Sequence, residues 1–430
     1  MTSNQPLVDR RKRLLGPDVR LFYDDPLHLV RGLGTKLWDS EGREYLDAYN
    51  NVPHVGHCHP DVVAAITAQL GQLNTHTRYL HEGILDYVER LTARIGQSID
   101  TAIMVCTGSE ANDIALRMAQ AVTGKTGIIA TDATYHGNTS AVSQVSTMIP
   151  PIGGRSAHVR LVPAPDSWRP LGGATGTAHA AAFAAAVEEA CRSLDAAGIG
   201  VSGMILCPAF VNEGFADLEP GFLDATAEAV RRHGGILIAD EVQTGFGRVG
   251  THFWAHQRIG LRPDVVTMGK PMGNGHPVAA VATTTEIMTA FRKAFRYFNT
   301  FGGNPVSCAA ASAVLDVLDR EDLPGRAVAT GAHLRQGLTA LATRYPVLGD
   351  IRGSGLAVGV EVVSDLATKT PDAELATRLV NAMRARGVLL GNSGRYNNVL
   401  KIRPPMPFDI SDANLLLDRL NDALAAICPA

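Results

Sequence analysis

Two short apolar runs deliver charged residues in a pattern that could do chemistry. Gly235-Ile236-Leu237-Ile238-Ala239 follows a glycine and ends in Asp240 and Glu241. A continuous run of this length, rich in branched residues, predicts a strand buried on both faces of a parallel sheet. Asp264-Val265-Val266-Thr267-Met268-Gly269 does the same for Lys270, and the breakers Pro271, Gly273, Gly275 and Pro277 follow. A lysine at the mouth of a buried strand is costly to keep charged and readily gives up its proton. The neutral amine is the form that makes a Schiff base with an aldehyde. An ordinary buried ion pair between Asp240 and Lys270 accounts for the same two residues.

A cofactor with both an aldehyde and a basic ring nitrogen would use the two groups together, and pyridoxal phosphate is such a cofactor. Further stretches fit it. Residues 101–106 predict a strand, and Thr107-Gly108-Ser109-Glu110-Ala111-Asn112 leads from it into a helix that reaches about Val122 and closes at Gly124. Small residues at a strand-to-helix turn leave backbone N–H groups free for a phosphate, although a plain helix cap explains Ser109 as well. A strand over 127–131 ends in Asp132-Ala133-Thr134-Tyr135-His136-Gly137. Either ring could lie against a planar cofactor or pack in the core.

The elements that must position these groups alternate, strand then helix, from about 100 to 285, with further strands at 203–207 and 278–284. That alternation predicts an α/β fold around a parallel sheet, with active residues at carboxyl strand ends. Residues 25–47 read as a meander of a smaller N-terminal layer. The Pro- and Gly-rich stretch 148–177 reads as a surface or subunit wrap, and an amphipathic helix closes the chain at 412–426. At 430 residues the chain exceeds the ~250–300 at which one core stops growing, so two domains are expected.

Composition removes several function classes. A net charge of −3 leaves no nucleic-acid footprint, and the one dense basic run, Arg10-Arg11-Lys12-Arg13, reads as a solvated helical turn. Six scattered cysteines without framework spacing imply free thiols in a reducing compartment. No stretch has signal-peptide or membrane-spanning character, so a cytoplasmic protein without membrane attachment is expected. The loop Asn50-Asn51-Val52-Pro53-His54-Val55-Gly56-His57-Cys58-His59-Pro60 is dense in imidazole, but no second cluster with zinc-like spacing follows, so no metal is expected. Asn74-Thr75-His76-Thr77-Arg78-Tyr79-Leu80-His81 is either a solvated loop or one that faces substrate.

Over nearly its whole length the chain resembles the class III pyridoxal-phosphate aminotransferases, a fold-type I family. The resemblance rests on NNVPHVGHCHP from Asn50, TGSEAN from Thr107, Tyr135-His136-Gly137, DEVQTGFGR from Asp240, VTMGKPMGNGHP from Val266, FNTFGGNPVSC from Phe298 and GDIRGSG from Gly349. Within that family it is similar to the ethanolamine-phosphate and 5-phosphohydroxylysine phospholyases.

The resemblance implies a large domain over 61–308 with a mainly parallel sheet. A smaller α+β domain would be built from 1–60 and 309–430. Lys270 would bind the cofactor aldehyde and move the substrate proton, while Asp240 pairs with the ring nitrogen and Gln243 approaches the ring hydroxyl. Gly108 and Ser109 would hold the cofactor phosphate, Tyr135 would cover the ring and His136 would lie beside it. Thr300 would reach the phosphate of the neighbouring subunit, which implies a homodimer with shared active sites. Pairing of dimers into tetramers stays open.

Three departures from the family pattern carry information. Most class III transaminases place an arginine before the final Pro-Pro to bind a substrate carboxylate, and Lys401 stands at the matching position. The Glu-Pro step after the middle strand is Cys207-Pro208 here, and a glutamate that gates that arginine is Asn212. A lysine gives up bidentate carboxylate recognition and keeps a point charge suited to phosphate.

The expected activity is therefore phosphate elimination from a small phosphorylated amine such as O-phosphoethanolamine. Arg78, Lys401, Arg403 and His76, then His54, are the candidate phosphate cations. Amino transfer by an ω-aminotransferase is the main alternative. A decarboxylase or racemase is disfavoured by Lys401, and a binding protein with a dead site by Asp240 and Lys270.

Overall fold

The computed structural model describes residues 4–148 and 151–428. Strands β1 (Leu29–Leu33), β2 (Lys36–Asp39) and β3 (Glu44–Asp47) make the antiparallel meander expected near the start. Its second turn is closed by the Asp39 carboxylate, which accepts the Glu41 and Arg43 N–H groups at 3.0 and 2.9 Å. A two-residue strand at Val388–Leu389 adds in parallel to β3, so this sheet joins the early and late parts of the chain. The basic run lies in the helix Gln5–Leu15, which has no buried residue. No helix among the described residues is long and apolar enough to cross a membrane.

The central sheet has seven strands. They are β4 (Thr101–Val105), β5 (Gly127–Thr131), β6 (Val159–Val162), β7 (Val201–Leu206), β8 (Ile236–Asp240), β9 (Val265–Met268) and β10 (Ala279–Thr283). Their spatial order is β4-β10-β9-β8-β7-β5-β6. Pairings from β9 through β6 are parallel, and only β10 runs against its two neighbours. This is the mixed, mainly parallel α/β sheet that the apolar runs predict, with β8 at its centre. Both faces are dry. Ala280 and Ala282 of β10 belong to one apolar cluster and Ala279 and Val281 to another, the two-residue period of a strand covered on both sides.

The stretch 148–177 differs from a plain surface wrap, because it supplies β6 as a parallel edge strand beside β5 before the helix Gly176–Ala196 begins. Residues 149 and 150 of that stretch lie outside the described residues. Four residues between glycine- and proline-rich flanks are too short for a periodic signal. A third, antiparallel sheet from the C-terminal part pairs Leu348–Ser354, Ala357–Asp365, Val399–Ile402 and Gly391–Ser393 in that order.

Two buried arginines fasten this sheet to the rest. Arg352 donates to Glu361 Oε2 at 2.5 Å and to the Gly214 carbonyl at 2.5 Å. Arg248 donates to the Leu356 carbonyl at 3.2 Å, to the Pro404 carbonyl, and meets His54 Nδ1 at 3.1 Å. Burial, then the neighbouring Arg403 charge, pushes Arg248 down to about 9. The Arg248→Met variant leaves those carbonyls without donors in a dry interface. It should lose about 2–4 kcal/mol of unfolding free energy in urea titration, and a loss under about 0.5 kcal/mol would show that the latch is not structural.

Candidate active site

The site forms where β8 and β9 end side by side, with Asp240 in register with Thr267, three residues ahead of Lys270. Asp240 is buried. Its Oδ2 meets His136 Nδ1 at 2.7 Å and accepts from Asn112 Nδ2 at 2.9 Å, and its Oδ1 accepts from the Val242 N–H at 3.0 Å. One face of the carboxylate is thus fixed by protein donors, and the other borders a cavity.

Asn112 had no role assigned from sequence, yet it ties four elements together. Besides Asp240 it donates to the His136 carbonyl at 2.6 Å and accepts from the Thr267 hydroxyl at 2.6 Å. Its helix, Gly108–Thr123, is set by local chemistry. A capping box links Thr107 and Glu110, Gly124 closes the other end in the left-handed conformation, and Ala111, Ile114, Ala115, Met118 and Ala119 form the buried face. The box satisfies the N–H groups of Cys106, Thr107 and Glu110, leaving those of Gly108 and Ser109 without a protein partner among the described residues.

A Cβ on Gly108 would lie 2.9 Å from the Val242 methyls, and one on Gly137 would meet Ser109 Oγ at 2.5 Å. The cradle therefore accepts a small anion and little else. These free donors, the buried carboxylate and the nearby amine fit pyridoxal phosphate: phosphate at the helix start, ring nitrogen at Asp240, aldehyde at Lys270.

Two cavities meet at this point. One, of about 290 Å3, is lined by Gly108, Ser109, Tyr135, His136, Asp240, Gln243 and Lys270, so it gathers nearly all the residues predicted to hold the cofactor. The other, of about 630 Å3, shares Tyr135, Gln243 and Lys270 with it and adds Tyr49, Asn212, Arg395, Lys401 and Arg403. Burial pushes the Lys270 amine down, Arg403 pushes it further, and Asp240 opposes both. Lys401 is held well below the usual lysine range by burial, then by Arg403 and Lys270. Lys401 Nζ donates to Asn212 Oδ1 at 2.9 Å, so two of the departures from the family pattern touch each other. Arg403 donates to Gln243 Oε1 and lies over the Tyr49 ring, 5.0 Å from its centroid. Burial pushes the Cys207 thiol well up, which keeps it neutral on the wall of the smaller cavity.

Other predicted residues lie elsewhere in the protomer. His54 is buried behind the site, bonded to the Phe246 carbonyl at 2.8 Å and to Arg248. Arg78 sits over Phe298 at 3.9 Å, His76 stacks on Tyr79, and Thr300 is exposed on the same surface. None of these lines either cavity among the described residues.

Sequence reasoning passed over Glu213, Tyr49 and Arg395. Glu213 accepts from the Thr131 hydroxyl at 3.1 Å, and Arg395 pairs with Asp132 at 2.6 Å beside the larger cavity. Single residues on loops with no spacing rule offer no signal for them.

The profile of Aminotransferase class-III proteins matches residues 23–424. The chain belongs to the class III aminotransferase family. An alanine-glyoxylate aminotransferase 2-like protein of Drosophila melanogaster is 40% identical over 99% of this chain and 88% of its own length. An ethanolamine-phosphate phospho-lyase homologue of Caenorhabditis elegans is 37% identical over 95% of this chain and 90% of its own. A solved Arthrobacter phospholyase in complex with phosphoethanolamine is 42% identical, with a TM-score of 0.93 over 98% of this chain and 100% of that one. The cofactor of this class III enzyme is pyridoxal phosphate.

The two lysine environments give a direct check. In cofactor-free protein, labelling of Lys270 by a small amine reagent should reach its plateau at lower pH than labelling of Lys36, which Glu44 pushes the other way. A lowered pKa leaves more neutral amine at a given pH. Peptide mass spectrometry across pH reads this, and matching profiles would remove the electrostatic account of Lys270.

Proposed function

We propose that this class III enzyme is a pyridoxal-phosphate-dependent phospholyase acting on a small phosphorylated amino alcohol, with O-phosphoethanolamine the first substrate to test. The contact of Lys401 with Asn212 carries this reading. Arg403 lowers the hold of both Lys270 and Lys401 on a proton, Lys270 lowers that of Lys401 further, and the side chain that holds Lys401 is a neutral amide. A glutamate in place of Asn212 would neutralise the cation and suit the alternation of two substrates that amino transfer requires. With an amide there, Asn212 leaves Lys401 to an incoming phosphate, whose charge favours the protonated amine.

When bound, pyridoxal phosphate supplies an aldehyde for the substrate amine and a ring that takes up carbanion electrons. Gly108 and Ser109 would offer N–H groups to its phosphate, Asp240 would pair with the ring nitrogen, Gln243 would approach the ring hydroxyl, Tyr135 would cover the ring and His136 would lie beside it. Lys270 Nζ, whose hold on a proton its surroundings weaken, takes the proton from the carbon next to nitrogen. The neighbouring C–O bond breaks and the electron pair leaves on phosphate, steadied by Lys401 and Arg403. Addition of one water gives acetaldehyde, ammonia and orthophosphate.

Arg78 and Thr300 join this reading through a second copy of the chain. Leu80 and Phe301 beside them are 98% and 70% exposed, an apolar surface suited to a homodimer in which both residues reach the partner's site. The cysteines all carry free thiols, in keeping with a reducing, cytoplasmic setting.

Purified holoenzyme given O-phosphoethanolamine should release phosphate and acetaldehyde in equal amounts. Robust amino transfer to pyruvate with no phosphate released would instead establish the aminotransferase reading that several relatives' names suggest. Lys401→Met should lower phosphoethanolamine turnover by about 100-fold and leave the cofactor's absorption in place.

Because Lys401 is held down in the free protein, a bound phosphate should raise it and draw a proton from buffer. Calorimetry near pH 8 in buffers of different ionisation enthalpy should show uptake with the parent and less with Lys401→Met. Mixing inactive Arg78→Ala and Lys270→Ala proteins should restore about a quarter of parental sites if Arg78 acts across the dimer, since half of random dimers are hybrids with one intact site each. No recovery would confine Arg78 to its own protomer.

A further inference from the structure

One ion pair at the larger cavity has no part in the reaction as drawn. Arg395 sits on the turn between the strands Gly391–Ser393 and Val399–Ile402, and its Nη2 donates to Asp132 Oδ1 at 2.6 Å. Both residues line the cavity together with Lys270, Lys401 and Arg403, and Asp132 is its one carboxylate among the described residues. The two side chains are 39% and 30% exposed. A partly exposed pair held through a single nitrogen adds little to stability and exchanges easily.

The two partners are anchored unequally. Asp132 directly follows β5, and its N–H donates to the Val162 carbonyl at 2.9 Å. Its Oδ1 also accepts the Ala164 N–H at 2.8 Å, so it keeps its place and a donor without the arginine. Nothing else holds the guanidinium, because Nε and Nη1 have no protein partner among the described residues. The backbone beneath it is fixed against Asn212. The Gly394 N–H donates to the Asn212 carbonyl at 2.9 Å, and the Asn212 side chain accepts from Lys401 Nζ at 2.9 Å. One residue thus links the turn that carries Arg395 to the tip of Lys401.

A planar guanidinium that spends one N–H on a carboxylate can offer a phosphate two in parallel, and a dianion attracts it more than a single carboxylate does. We propose that Arg395 is a further substrate-binding residue, released from Asp132 to close on the substrate phosphate, and that Asp132 is its competitor for that phosphate. This inference rests on the reading of the substrate as a phosphorylated amine. It adds how the cavity prefers a dianion: a substrate carboxylate carries the same single charge as Asp132 and gains nothing by the exchange, whereas phosphate does.

Calorimetric titration of holoenzyme with inorganic phosphate in about 0.3 M sodium chloride, where charges not in contact are largely screened, tests it. Arg395→Gln should weaken binding about fivefold, and Asp132→Asn should tighten it about threefold. The effects should be coupled, so that Asp132→Asn tightens nothing in the Arg395→Gln background and Arg395→Gln costs about 15-fold in the Asp132→Asn background. Weaker binding in both single variants would reduce the pair to a tie for the turn. Unchanged binding in Arg395→Gln would remove the arginine from the phosphate, and equal tightening by Asp132→Asn in both backgrounds would show that Asp132 acts by charge alone. Each of these three results overturns the inference. Phosphate release from O-phosphoethanolamine by the parent decides the lyase reading separately, and the coupling decides Arg395 whichever way that assay falls.

Discussion

A carboxylate at the dry end of a central strand constrains everything around it. Asp240 cannot be left with unpaired lone pairs in a buried setting, because an uncompensated buried charge costs several kcal/mol. Its donors come from three directions: Asn112 on a helix, His136 on the loop after β5, and the Val242 N–H in the turn after β8. Each supplier must itself be placed. Asn112 arrives in register because the Thr107–Glu110 capping box fixes where its helix starts, and the Thr267 hydroxyl then holds the amide the right way round. The same capping box decides which N–H groups remain free at the helix start. One local motif therefore sets both the anion cradle and the support of the acidic group.

The opposing constraint is positive. Lys270, Lys401 and Arg403 converge from two sheets, and each pair lowers the other's hold on a proton. For Lys270 this is useful, since it needs a free electron pair. For Lys401 it is a cost that a bound dianion would relieve. A family that elsewhere balances such a cation with glutamate has a neutral amide here, which removes a competitor for the anion without removing the hydrogen bond that aims the lysine. On the proposed reading, the charge count in the cavity is what favours phosphate elimination over amino transfer.

Much of this was legible in the chain. The strands ending at Asp240 and before Lys270 announce themselves because a parallel strand is apolar on both faces, and the helix 108–123 because its caps are local. Less visible were features that depend on distant pairing. The addition of Val388–Leu389 to β3 links segments with no pattern in common, and the four residues of β6 are too few to show a period. Arg78 and Thr300 sit on loops whose distance from Lys270 within the protomer has no trace in their spacing. Glu213 was hidden by its neighbour: Asn212 drew the comparison with the family, and nothing in the sequence says that Glu213 meets the Thr131 hydroxyl while Asn212 meets Lys401.

The partners of Asn212 and Glu213 depend on how the loop after β7 is pinned. The Phe210 N–H returns to the Cys207 carbonyl at 2.8 Å with Phe210 itself at φ 46°, and Gly214 adopts φ 117°, so the chain reverses twice within a few residues. The C-terminal sheet then holds both ends of the exposed backbone: the Gly394 N–H donates to the Asn212 carbonyl at 2.9 Å, and Arg352 to that of Gly214 at 2.5 Å. Lys401 belongs to that same sheet. The sheet that carries Lys401 and the loop that carries Asn212 and Glu213 are thus joined by hydrogen bonds. A shift of the C-terminal sheet would move Asn212 and Glu213 together and be felt on both sides of Lys270.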